Sequence, residues 1–233
     1  MENDRRYYLM VVRDTDAGTE TIYTHMNSLF AGAKAKHIGT EFMQDNIIAT
    51  ASRTDTMFDL LYNGQMKYKT PSMKAKMQSL TERSQIIIHG HGDVDACRIN
   101  GVLPEALALS LTSLGLKVNC RINITGCDLG RNSGISGAAR AQANAVSMGS
   151  RSFAQRFQRS LYDNAGLRCV VHARTSWVVV MEGGKKRTVN FDADADPAGV
   201  FPHQMGSKLD RSKIRFVIDP GGVQRMEFVY GGA

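Results

Sequence analysis

The chain predicts an α/β fold, with a central, mainly parallel β-sheet flanked by helices and an antiparallel β-hairpin extension towards the C-terminus. Three observations carry this reading. Short apolar runs rich in β-branched and aromatic residues, Tyr7-Tyr8-Leu9-Met10-Val11-Val12 and Ile86-Ile87-Ile88 among them, alternate with segments whose apolar residues recur at helical spacing, the order expected of parallel strands joined by helices. The runs Ile86-Ile87-Ile88 and Ile122-Asn123-Ile124 lead into glycine turns, as buried strands do. Beyond Trp177 the strand patterns follow one another across Gly-rich turns, which predicts hairpins. With 233 residues, 42% of them hydrophobic, residues 1–233 are expected to form one well-buried domain.

Taken in order, the first strand ends in the turn-forming Asp14-Thr15-Asp16-Ala17-Gly18. Residues 20–44 carry Met26, Leu29, Phe30 and Phe42, interrupted by Gly32 and Gly39, and predict a helix and a loop. A second strand is expected at Ile47 to Ala51 and a helix at Thr54 to Leu61. Met73, Met77 and Leu80 recur at steps of four and three, so Lys67 to Leu80 predicts an amphipathic helix with core-facing methionines. After the Ile86 strand, Asp93 to Gly101 reads as a polar loop. Pro104-Glu105 then opens a helix carrying Leu107, Leu109, Leu111 and Leu114 and stopped at Gly115. Val118 to Thr125 is the next strand, and the Gly/Ser-rich stretch from Gly130 to Gly149 reads as a long loop. Phe153, Phe157 and Leu161 predict a helix over Ser152 to Asn164, followed by a strand at Cys169 to Ala173. Trp177 to Met181 and Lys185 to Phe191 form a hairpin pattern around Gly183-Gly184, and Ile214 to Ile218 and Glu227 to Tyr230 form another around Pro220-Gly221-Gly222.

Composition narrows the function classes. Acidic residues near Met1, and no stretch of roughly 18 apolar residues, argue against a secretory signal and a membrane span. Cys97, Cys120, Cys127 and Cys169 show no paired spacing and no C-x-x-C, which fits free thiols in a reducing compartment rather than disulfides or a zinc ribbon. The net charge of +7 gathers in Lys185-Lys186-Arg187 and in Lys208, Arg211, Lys213, Arg215 and Arg225. Such charge fits a solvated surface or a polyanion; aromatic residues do not interleave it and no nucleic-acid motif accompanies it.

The chemistry concentrates between Ser84 and Asn132, where one apolar strand enters His89-Gly90-His91-Gly92 and another enters Gly126-Cys127-Asp128. In open parallel sheets, sites form beyond the carboxyl ends of the strands, which is where His91 and Cys127 fall. A cysteine thiolate can attack an acyl carbon and a histidine can protonate the leaving amine. Gly92 and Gly126 let the main chain come close to a substrate, which makes the Gly92 and Cys127 N–H groups candidate oxyanion donors. A metal at His89 and His91 is disfavoured by the turn-forming glycines and by the lack of neighbouring ligands, so no metal is expected.

Gly90-His91-Gly92 and Thr125-Gly126-Cys127-Asp128-Leu129, each after an apolar strand, resemble the arrangement of clan CD cysteine peptidases, the caspase-like group. They are most similar to the self-processing cysteine protease domains of RTX and large clostridial toxins. The resemblance continues through Phe153-Ala154-Gln155-Arg156-Phe157, His172-Ala173-Arg174-Thr175-Ser176 and the hairpin with Gly183-Gly184-Lys185-Lys186-Arg187. It implies a caspase-like sheet with a C-terminal flap hairpin, a Cys127–His91 pair with His91 preferred to His89, and an orienting acid, for which Asp14 and Asp16 are the candidates. It also implies activation by inositol hexakisphosphate, with Lys185, Lys186, Arg187, Lys208, Arg211, Lys213 and Arg215 as the polyanion-binding residues. Ser176 and Trp177 are candidates for shaping the substrate pocket. The toxin domains lie inside very large chains that they cut, whereas this sequence starts at its own Met1. The expectation is therefore a free-standing effector protease acting on protein substrates or on itself, found in the bacterial cytoplasm or translocated into a host cell without a cleavable signal peptide. The alternatives are a non-catalytic basic binding module on the same fold and acyl transfer by the same nucleophile.

Overall fold

The computed structural model describes residues 6–10, 71–135, 139, 142–180, 186–189 and 213–229. The helices and strand expected between residues 20 and 61 lie outside them, as do Asp14, Asp16, Lys185, Lys208 and Arg211.

A six-stranded sheet runs through the described residues in the order β1 (Arg6–Met10), β2 (Gln85–His89), β5 (Arg121–Thr125), β6 (Val170–Arg174), β9 (Lys213–Ile218), β10 (Gln224–Phe228). The first four are mutually parallel, and β9 and β10 add antiparallel edges. Two small antiparallel pairs stand outside it, β3 (Gly92–Asp93) with β4 (Arg98–Ile99), and β7 (Trp177–Val180) with β8 (Lys186–Val189). Helices α1 (Pro71–Gln78), α2 (Pro104–Ser113), α3 (Ala145–Gly149) and α4 (Phe153–Ala165) complete the described fold. The mixed α/β class and the antiparallel extension are as the strand pattern implies.

Alternation along the strands decides which side chains are buried. Ile86, Ile88, Ile122, Ile124, Val171, Ala173, Ile214 and Phe216 are buried in a core shared with Leu107 and Leu111 of α2 and Phe153, Phe157 and Leu161 of α4. α4 begins at Ser152, whose side chain accepts from the Gln155 N–H, and ends at Gly166 in the left-handed conformation (φ 66°), both ordinary ways of satisfying helix-terminal groups. Its Gln158 is fully buried. The Gln158 amide nitrogen donates to the carbonyls of Cys169 and Phe216 (2.7 Å each), and its oxygen accepts from Gln224 Nε2.

Two expectations change. Asp93 to Gly101 is not an irregular loop: it holds the second residue of β3 and all of β4, and Asn100 (φ 45°) and Gly101 (φ 80°) form a two-residue turn closed by reciprocal hydrogen bonds between Ile99 and Val102. The Gly130 to Gly149 stretch ends in α3, capped by the Asn144 side chain, which accepts from the Ser147 N–H at 2.8 Å. Leu109 faces solvent, because the i, i+4, i+7 stripe of α2 runs through Leu107, Leu111 and Leu114 and leaves it on the opposite side.

Candidate active site

Strands β2 and β5 are parallel neighbours with His89 paired to Thr125, so the chains leaving them emerge side by side. The ladder continues one step further through a bond from the Gly90 N–H to the Thr125 carbonyl. His89 belongs to β2 and is buried. Its Nδ1 lies 3.0 Å from the Thr125 carbonyl oxygen, which can only accept, so Nδ1 carries the proton. His91 and Cys127, one turn further on, are both partly exposed.

Glycines interlock the two turns. A methyl group on Gly92 would stand 1.9 Å from the Cys127 carbonyl oxygen, and one on Gly126 would stand 2.7 Å from the Gly90 carbonyl oxygen. The main chain around His91 is therefore packed directly on the main chain around Cys127. Past the cysteine, Asp128 is buried in the left-handed conformation (φ 57°) and its carboxylate accepts from Arg131 Nε at 3.1 Å. Its N–H donates to the Ser176 carbonyl, and the Gly130 N–H donates to the Arg174 carbonyl. This brings Ser176 and Trp177 alongside the segment that follows Cys127, with Ser176 fully buried and Trp177 exposed.

Of the other three thiols, two are buried out of a substrate's reach and the third is raised by burial. Cys120 and Cys169 are buried beside one another, and the hydrogen bond between them together with burial pushes the Cys120 thiol up. Burial likewise raises Cys97, against the opposing charge of Arg156.

A second constellation lies on the sheet face opposite α4. In-register pairing sets Asn123, His172, Arg215 and Glu227 in one row across β5, β6, β9 and β10. Arg121, Arg174 and Lys213 share that face, two residues from members of the row. Burial, then Lys213, Arg121 and Arg215, push the His172 imidazole down to about 3. Lys213 and Arg215 belong to the basic C-terminal cluster of the sequence; Arg121 and His172 belong to no cluster there, because they are single residues on separate strands. Lys186 and Arg187 lie on β8, paired with Val180 and Val179. Among the described residues no group of three or more His, Cys, Asp or Glu side chains is placed to hold a metal ion, and no helix is long and apolar enough to cross a membrane.

A parallel α/β sheet with a cysteine and a histidine packed together beyond adjacent strand ends defines a class, the cysteine peptidases built on open sheets. The profile of the Peptidase C80 family matches residues 27–189, and the chain belongs to that family and is a clan CD cysteine peptidase. No curated protein matches the sequence. The activity implies protein substrates.

Proposed function

We propose that Cys127 is the nucleophile and His91 the proton carrier of this peptidase. The observation that carries the proposal is the contact between Gly92 and the Cys127 carbonyl, which holds two partly exposed reactive residues at one point of the sheet edge. In the reaction, the Cys127 sulfur bonds to the carbonyl carbon of the scissile peptide, and the N–H groups of Gly92 and Cys127 donate to the oxygen that becomes negative. His91 takes the thiol proton as the sulfur attacks and gives it to the nitrogen as the C–N bond breaks; it then takes a proton from the attacking water and returns it to the sulfur as the C–S bond breaks. Asp14 or Asp16, which follow the strand beside β2, would orient the imidazole. Ser176 and Trp177 would border the substrate pocket, supported by the bond from the Asp128 N–H to the Ser176 carbonyl.

The proposal extends to control. The fold is read as caspase-like, with β7 and β8 as the flap, and inositol hexakisphosphate as the activator. Lys185, Lys186 and Arg187 on or beside the flap, with Lys208, Arg211, Lys213 and Arg215, would bind its phosphates. The surroundings of His172 support this reading: burial first, and then Lys213, Arg121 and Arg215, disfavour its charged form, and the field of those three cations is one that a polyanion would neutralise. An effector acting inside another cell is the role that fits such an activator. An acyl-mimic electrophile tests the proposal: labelling is expected at Cys127, increased by inositol hexakisphosphate and absent in Cys127→Ala. Labelling at Cys97 instead, or none in either condition, would contradict it.

A further inference from the structure

We propose that Asn100 is the positioning residue for His91; the inference rests on the reading of His91 and Cys127 as the reacting pair. Asn100 holds the backbone of His91 at both its N–H and its carbonyl. Its backbone N–H donates to the His91 carbonyl at 2.8 Å, and its side-chain Oδ1 accepts from the His91 N–H at 3.2 Å. The second bond does what a neighbouring strand's carbonyl would do in a ladder, at the point where β2 has ended and β3 has not begun.

The grip is anchored in the core. Asn100 occupies the first central position of the two-residue turn between Ile99 and Val102, both fully buried and bonded to each other in both directions. Ile99 also pairs with Gly92, the residue packed on the Cys127 carbonyl. A continuous path therefore runs from the core through Ile99 and Asn100 to His91 and Gly92. Asn100 is itself buried, so water competes little for its hydrogen bonds. Its φ of 45° explains why asparagine serves here: it tolerates the left-handed conformation and carries an acceptor on a short arm. Glutamine and leucine meet neither condition.

Two substitutions separate the side-chain bond from the turn. Asn100→Gly keeps the left-handed conformation and the backbone donor and removes the side-chain amide with its Oδ1 acceptor. Asn100→Asp keeps an acceptor oxygen and tolerates the same conformation. The full-length protein is treated with iodoacetamide and alkylation of Cys127 is followed by mass spectrometry at about pH 7 and about pH 10. At the lower pH the rate reads how well His91 accepts the thiol proton; at the higher pH thiols ionise without help and the rate reads access alone. His91→Ala is expected to slow alkylation about tenfold at the lower pH. Asn100→Gly is expected to slow it at least about threefold there, with an unchanged rate at the higher pH and a melting midpoint close to the wild type. Asn100→Asp is expected to restore at least about half of the wild-type rate. A wild-type rate in Asn100→Gly, with the slow rate in His91→Ala, overturns the role of Asn100 and leaves the pair standing. A wild-type rate in His91→Ala overturns the pair, and the role of Asn100 with it.

Discussion

At the scale of single residues, the site depends on the absence of side chains as much as on their presence. Gly92 has an ordinary backbone conformation, so its requirement is for space: any Cβ there collides with the Cys127 carbonyl, which is main chain and cannot rotate away. Gly92→Ala is expected to cost about 2 kcal/mol or more of stability, as overpacking does, and to lower cleavage by about a hundredfold by separating His91 from Cys127. Gly134→Ala is the control, since a methyl group there meets nothing closer than 3.7 Å, and its stability and cleavage should match the wild type. Urea midpoints and initial cleavage rates check both. These glycines were legible in the sequence as close-approach positions beside the two reactive residues. That Gly92 stands against the Cys127 main chain and Gly126 against the Gly90 main chain was not, because the contacts depend on the β2–β5 register.

At the scale of elements, α4 packs into the core through Phe153, Phe157 and Leu161 and adds two polar links, a buried amide to the sheet and a surface ion pair to α2, which should differ in worth. Gln158 serves the carbonyls of Cys169 and Phe216, ending three residues' search for partners in a dry region. Gln158→Leu is expected to destabilise the protein by about 2 kcal/mol, the scale of a buried polar group losing its partner. Arg156 and Glu105 form a two-bond pair between α4 and α2 (2.9 and 3.0 Å) with both side chains well exposed, and Glu105→Ala should cost no more than about 0.5 kcal/mol. Chemical denaturation of the two variants checks the ordering. The helix was readable from Phe153, Phe157 and Leu161, yet nothing in that pattern marks Gln158 as interior, since a polar residue on a helix normally faces water. β3 and β4 are the opposite case. Ile99-Asn100-Gly101-Val102 carries a recognisable hairpin signal, but strands of two residues are too short to show a period, and the polar Asp93 to Arg98 connection hides them.

At the scale of the whole molecule, the two faces of the sheet divide the labour. One carries the core; the other gathers Arg121, His172, Lys213 and Arg215. Sequence clusters pointed to the basic C-terminal region, but the face itself is assembled by register from β5, β6 and β9. His172 gives it a signature in stability. Above an unfolded value near 6.5 the imidazole is neutral in both states and contributes no pH dependence. As pH falls below that, the unfolded chain gains a proton that the folded protein refuses until about 3, so stability should fall across this window. His172→Asn should flatten that part of the profile of urea midpoint against pH. Inositol hexakisphosphate should raise the melting midpoint of the wild type and do so less in Arg121→Ala and Lys213→Ala, because a ligand that binds only the folded state stabilises it by mass action.

The central claim is that peptide cleavage runs through Cys127, held beside His91 by the packing of Gly92 on the cysteine's carbonyl. The most direct measurement is to incubate the purified protein with inositol hexakisphosphate, alone and with a host-cell lysate, and to compare the fragments formed by the wild type with those formed by folded Cys127→Ala. New fragments from the wild type and none from the variant are the predicted result; the same fragments at the same rate from Cys127→Ala would contradict it.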